Sequence, residues 1–239
     1  MTLLSVKRLT QIVASQHRVV VVTGAGVSTL SGIPDFVSID GDWDNPIPRE
    51  VAISKGFFRA QPKKFWSIYK DLFLGKADDK LEPSAAHLYL KELEKAAEVE
   101  IYTQNVDGLH GAAGSSNVTE VHGNAHSLTC VKCKRQVDVW DVYDTVVPLC
   151  EKDGQLLKPN VVLFGENSPS YDKMFKALNG PGVLLVMGTS LNVAPVNMMP
   201  VEAARYSPHL WRIYWDKNAS EEHEPLFHHH VNADFSQLV

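Results

Sequence analysis

No run of lysine and arginine occurs anywhere in the chain, and the formal net charge is −5. Both facts speak against the electrostatic footprint of a nucleic-acid binder. No apolar stretch approaches the roughly 20 residues that a membrane-spanning helix needs. The opening MTLLSVKRLTQIVASQHR lacks a signal-peptide layout, because Lys7, Arg8 and Gln11 interrupt any apolar region. Cysteine is scarce: three residues, an odd number, argue against a disulfide scaffold. They point to a reducing compartment, cytoplasm or nucleus, and to metal. No internal repeat is visible. The expectation is a monomer with no nucleic-acid or membrane partner.

The remainder reads as a soluble globular protein. Its 239 residues are 44% hydrophobic and 21% charged, which suits one large domain or one domain with a small insertion. The stretch Arg18 to Ser38, RVVVVTGAGVSTLSGIPDFVS, organises the rest. Val19 to Val22 are apolar on both faces, as in a buried parallel strand. The strand breaks at Thr23-Gly24-Ala25-Gly26. Glycines there let the backbone turn tightly and approach a ligand, and amides bared at such a turn suit phosphate oxygens. The full G-x-G-x-x-G spacing is missing, because Thr29 occupies the third glycine position. An ordinary strand-to-loop glycine turn is the competing reading.

Apolar residues at helical spacing predict a first helix across Leu3 to Val13. Residues 27 to 56 read as a long loop, with Ile39 to Pro48 its most polar part. Phe65, Trp66, Ile68, Tyr69, Leu72 and Phe73 predict an amphipathic helix after Pro62, and a second helix runs from Pro83 to about Ala97. Strands are expected at Val99–Thr103, Val118–Val121, Val161–Phe164, Val183–Met187 and near Leu210–Tyr214. Helices are expected at 170–179 and 197–205. His228 to His230 read as a solvated turn, with adventitious metal binding as the alternative.

Strands alternating with helices imply a Rossmann-like α/β fold, a doubly wound and mostly parallel sheet. Three regions follow. The large domain covers about 1–38, 99–127 and 159–239. A cofactor loop with a helical insertion covers about 39–98, and a small zinc-ribbon-type module covers about 128–158. The clusters Thr23-Gly24, Gln104-Asn105, Gly188-Thr189-Ser190 and Trp215-Asp216 each follow a predicted strand. Open α/β sheets bind ligands along that carboxyl edge, which raises the nucleotide reading of the glycine turn. A dehydrogenase is disfavoured, since no acidic residue ends a second strand about 20 residues on.

Cys130 and Cys133 form a C-x-x-C pair, and Cys150 opens C-E-K-D-G. A zinc ribbon would place a fourth cysteine where Asp153 stands. Carboxylate oxygen is an acceptable zinc ligand, so the expected set is Cys130, Cys133, Cys150 and Asp153, in a closed structural site. A decayed ribbon that folds without metal is the alternative.

Together these pieces resemble a sirtuin, over roughly Leu9 to Val239 and in the family's order. GAGVSTLSGIPDF resembles the glycine-rich NAD loop, PSAAHLYLKELEK the P-x-x-A-H helix, and YTQNVDGLH with EVHGN the Q-N-x-D and catalytic-histidine motifs. LKPNVVLFGE resembles the strand that pairs with substrate peptide, and GTSLNVAP the later nucleotide-binding segment. The resemblance implies NAD-dependent removal of acyl groups from lysine. The acyl oxygen attacks C1′ of the nicotinamide ribose, nicotinamide leaves, and a histidine base helps a ribose hydroxyl attack the imidate.

It further implies His122 as that base, a role suited to a side chain that titrates near neutrality. Asn105 would orient ribose and a water, Asp107 would hold the nicotinamide amide, and Gln104 would contact ribose. Gly24, Ala25, Gly26, Ser28, Gly188, Thr189 and Ser190 would surround phosphate and ribose, and Asp35 and Phe36 would belong to the mobile loop. Val162, Phe164 and Gly165 would pair with an extended acyl-lysine peptide, faced across the cleft by Val193.

Three positions depart from the family. Val37 replaces the arginine after P-D-F, which predicts weaker NAD binding. Trp215 replaces an asparagine that holds the adenosine ribose; an indole there would stack on adenine, or Asn218 would substitute. Tyr69, at the acyl pocket, is followed three residues on by Leu72 rather than arginine, which predicts neutral acyl groups over succinyl or malonyl. Mono-ADP-ribosyl transfer, plain NAD hydrolysis and a non-catalytic NAD-sensing module are the alternative functions.

Overall fold

The computed structural model describes residues 1–34, 43–75, 81–217 and 225–238. At its centre is strand β2, Arg18–Thr23, whose last five residues are all buried. Val19 and Val21 face one layer, with Leu9, Ile12 and Val13 of the helix Val6–Gln16 and Leu90 and Leu93 of the helix Ala85–Leu93. Val20 and Val22 face the other, with Met174, Ala177 and Ala203. The valine run is thus apolar on both faces because both faces are covered. Each buried valine or leucine contributes about 1.5–3 kcal/mol.

Strands β1 (Thr2–Leu3), β3 (Glu98–Thr103), β4 (Val118–Glu120), β8 (Val183–Met187), β9 (Trp211–Trp215) and β10 (His229–Val231) complete this sheet. Its order is β1-β10-β9-β8-β2-β3-β4, and every pairing is parallel. The chain winds outward from β2 to β3 on one side and from β8 to β9 on the other. The switch point therefore lies between β2 and β8, where a doubly wound sheet opens its ligand crevice.

A second, antiparallel sheet of order β6-β5-β7 uses β5 (Gly123–Cys130), β6 (Gln136–Asp138) and β7 (Leu157–Val161). The strand expected at Val161–Phe164 thus lies earlier and belongs to the small sheet. Leu157, Pro159 and Val161 alternate inward along it. The apolar run beyond Val161 leaves this sheet, and Phe164 instead bridges Ser54. The lines drawn at 127/128 and 158/159 cut through β5 and β7. The module also shares one core with the helical insertion: Phe58, Phe65, Trp66 and Tyr69 pack with Leu128, Val139, Leu157 and Leu163. Lys70 Nζ ties the two, donating to the carbonyls of Tyr143 and Thr145.

The expected loop at 27–56 contains structure. A 3₁₀ helix, Ala25–Ser31, follows β2 directly, and short helices span Arg49–Ala52 and Lys55–Ala60. Pro83 precedes its helix, which Ser84 caps. His229 and His230, read as part of a turn, lie in β10 instead. So short a strand has no periodicity of its own, and the edge of β9 shapes it.

Candidate functional site

The loops after β2 and β8 interlock at the switch point. Gly24 N–H donates to the Met187 carbonyl at 3.1 Å, and Gly26 N–H to the Gly188 carbonyl at 2.8 Å. A Cβ on Gly24 would stand 2.5 Å from Thr189 Cβ, and one on Gly26 would stand 2.8 Å from the Gly188 oxygen. These glycines are needed for loop-to-loop contact before any ligand arrives. Ala25 is half-buried beside them, and Ser190 is exposed beyond Thr189.

The polar residues after β3 fasten onto this knot. Gln104 Nε2 donates to Thr189 Oγ1 at 2.8 Å. Asn105 Nδ2 donates to the Gly24 carbonyl at 3.1 Å and to Ser28 Oγ at 3.0 Å. Ser28 Oγ donates to Asp107 Oδ2 at 2.7 Å, and Asp107 Oδ1 accepts from Leu109 N–H at 2.9 Å. The predicted cofactor residues thus form two adjoining hydrogen-bonded groups, Gln104 with Thr189 and Asn105 with Gly24, Ser28 and Asp107. Buried polar side chains held this way keep one orientation.

Two histidines under the network were assigned no role from sequence. Ser84 N–H donates to His87 Nδ1 at 3.0 Å, and His87 Nε2 lies 3.5 Å from Ser28 Oγ. His110 Nε2 lies 2.9 Å from Thr23 Oγ1. The two rings stand edge to face, centroids 4.6 Å apart. Burial, then the neighbouring His87, pushes the His110 pKa down to about 3. Burial also lowers that of His87, against the pull of Asp107. Both rings are therefore neutral supports near pH 7. Their signal was present in PSAAH and in the LH of NVDGLH.

His122 follows the buried Val121 at the end of β4. Its Nδ1 lies 3.1 Å from the Gln104 carbonyl oxygen. A carbonyl only accepts, so Nδ1 carries the hydrogen and Nε2 keeps its lone pair. Burial lowers the pKa of this imidazole, partly offset by that bond. His122 is thus oriented and neutral, as a base must be.

The same histidine adjoins the expected substrate segment, since Val162 N–H donates to the His122 carbonyl at 2.8 Å. Phe164 and Val193 are large apolar side chains left 48% and 45% exposed, as a peptide-binding surface requires. The Val162 carbonyl and both backbone groups of Gly165 have no partner among the described residues. These groups are free for strand-like pairing.

Two predicted site residues lie elsewhere. Trp215 is fully buried, its ring packed between Tyr89 and Phe235 and its Nε1–H donated to the Ala233 carbonyl at 2.8 Å. Strand alternation turns it into the core, so it presents no face to adenine. Tyr69 is also fully buried, and its hydroxyl donates to the Ala125 carbonyl at 3.0 Å. It braces the small sheet against the helical insertion. Asp35, Phe36, Val37 and Asn218 lie outside the described residues.

The metal set converges. Ligand atoms of Cys130, Cys133, Cys150 and Asp153 all lie within 4.8 Å of one another. Cys133 and Cys150 sulfurs are 3.7 Å apart, and Cys130 Sγ is 3.4 Å from Asp153 Oδ1. A tetrahedral zinc with Zn–S bonds of about 2.3 Å separates its sulfurs by roughly 3.8 Å. The Lys132 and Cys133 amides both point at Cys130 Sγ, at 3.4 Å each, which stabilises a thiolate. The donor set fits zinc and leaves no coordination position for chemistry.

The family model described as Sir2 family matches residues 24–195. An NAD-dependent protein deacetylase of Chromobacterium violaceum is 45% identical over 198 residues, covering 82% of this chain and 81% of that one. One from Bacillus subtilis is 42% identical over 196 residues, covering 79% of each. Among solved structures, a Sir2 complex with p53 peptide and NAD+ matches with a TM-score of 0.82 at 29% identity, covering 98% of this chain and 95% of that one. A Sir2 homologue bound to NAD matches with a TM-score of 0.85 at 29% identity, covering 99% and 92%.

Proposed function

The chain belongs to the Sir2 family, and we infer from that premise that it is an NAD-dependent protein deacetylase. The observation that carries this reading is the position of His122. Its Nδ1 is held by the Gln104 carbonyl, one residue from the Asn105–Ser28–Asp107 network at the switch point. NAD, when bound, supplies the ribose that receives the acyl group and the nicotinamide that departs.

The chain's own residues do the rest. The Gly24–Gly26 loop and the Gly188–Ser190 turn form the floor beneath the phosphates and ribose. Gln104 is oriented by Thr189, and Asn105 by Gly24 and Ser28, so both present fixed dipoles to the sugar. Asp107, anchored at both oxygens, offers its remaining lone pairs to the carboxamide of nicotinamide. His122 takes a proton at Nε2 from a ribose hydroxyl. The acyl-lysine peptide lies along Val162 to Gly165, facing Val193, and main-chain pairing there makes sequence preference modest. Cys130, Cys133 and Cys150 as thiolates and Asp153 as carboxylate would hold a structural zinc, which would brace the small sheet whose core the helical insertion shares.

The acyl group is acetyl or another neutral chain. The relatives matched at 45% and 42% identity are named as deacetylases, which supports this reading. This reading includes a monomer in a reducing compartment, cytoplasm or nucleus, supported by the three free thiols in the metal cluster. The test is stoichiometry. With an acetyl-lysine peptide, one nicotinamide is released per acetyl removed, and none without NAD. Removal of acetyl without NAD contradicts the assignment.

A further inference from the structure

A cleft of about 640 Å³ adjoins the substrate segment, with Lys55, Lys158, Asn160, Val162, Gly165 and Glu166 in its lining. Its charges are not equally free. Lys158 Nζ lies 2.9 Å from the Glu166 carboxylate and donates to the Pro159 and Val161 carbonyls at 2.9 and 3.0 Å. Glu166 also accepts from Leu163 N–H at 3.2 Å. That pair is internally satisfied.

Lys55 differs. Its backbone N–H donates to the Phe164 carbonyl at 3.0 Å, and Phe164 N–H donates to the Ile53 carbonyl at 3.2 Å. The residue is therefore pinned to the cleft wall, yet its ammonium has no partner among the described residues. A cleft with one uncompensated cation, in a chain of net charge −5, beside unpaired backbone of the peptide segment, selects for a negative group.

We propose that Lys55 makes this cleft a subsite for an acidic side chain of the substrate, carried within roughly three residues of the acyl-lysine, or about 10 Å of extended chain. The proposal rests on the peptide-binding reading above and names the substrate class within it.

The test uses acetyl-lysine peptides with alanine flanks, each carrying one glutamate or one lysine at a flanking position. For a half-exposed ion pair, glutamate at one position raises kcat/KM about two- to fivefold, and salt reduces the gain. Lys55→Arg keeps the gain, Lys55→Ala abolishes it, and Lys55→Glu transfers it to the lysine-bearing peptide. The all-alanine peptide is turned over equally by every variant. A glutamate gain that survives in Lys55→Ala, or no gain at any position, overturns the proposal. Failure of the deacetylase reading shows differently, as no turnover of any peptide. Binding of the same peptides, read by fluorescence anisotropy, then makes the same comparison and overturns the proposal on the same terms.

Discussion

The Nδ1 of His122 sits 3.1 Å from the carbonyl oxygen of Gln104, and that single contact decides which ring nitrogen is free for chemistry. It also ties this histidine to the strand end that carries Asn105 and Asp107.

Its first consequence is a pH profile. Burial lowers the His122 pKa, so the neutral, proton-accepting form persists below pH 6.5. The acid limb of kcat/KM falls with an apparent pKa below 6.5, and a limb centred above it contradicts the account. His122→Ala lowers kcat by roughly 10²–10⁴-fold, the range of a lost general base.

His110 makes a separate prediction about stability. Its folded pKa of about 3 lies below the ordinary histidine value. The unfolded chain therefore binds the extra proton first, and stability is lost as pH falls from about 6.5 towards 3. Across that window one histidine contributes about 1.4 kcal/mol per pH unit. His110→Gln removes about one proton from the pH slope of unfolding, measured by denaturant melts. An unchanged slope contradicts the buried neutral ring.

The interlocked glycines give a third. Gly24→Ala places a methyl 2.5 Å from Thr189 Cβ and costs about 1–3 kcal/mol of overpacking, with a loss of NAD affinity. Gly111→Ala meets nothing within 4 Å and serves as the neutral control. Thermal melts and NAD titration of the two variants read the difference.

Much of this was legible in sequence because local pattern and tertiary role agree. Val19 to Val22 had to be a two-faced buried strand, and every strand end with a polar cluster had to meet the same edge. The errors share a cause. Trp215 and Tyr69 match positions of a motif, but only the three-dimensional alternation of β9 and the helix Pro62–Phe73 shows that both point into a core. His87 and His110 were unread for the converse reason, because contact between residues far apart in sequence leaves no spacing to recognise.

Zinc predicts a fourth outcome. The protein carries one zinc per chain, and Asp153→Ala weakens its retention against a chelator less than Cys133→Ser does, since one thiolate contributes more than one carboxylate oxygen at a soft-ligand site. Chelation lowers the melting temperature by opening the core shared with the helical insertion. A metal-free protein of equal stability contradicts the closed site.

Position 37 gives a fifth, from sequence alone. Val37→Arg restores a charge-assisted anion partner and tightens NAD binding. Equal or weaker affinity by calorimetry contradicts that expectation.

The central claim is that the acyl group leaves lysine for the ribose of NAD with His122 as the base. Mass spectrometry of a reaction with NAD and an acetyl-lysine peptide tests it most directly. The account predicts O-acetyl-ADP-ribose in equal amount to deacetylated peptide, and neither product from His122→Ala at comparable time. Deacetylated peptide accompanied by free acetate and intact NAD, or ADP-ribose formed with the peptide still acetylated, contradicts it.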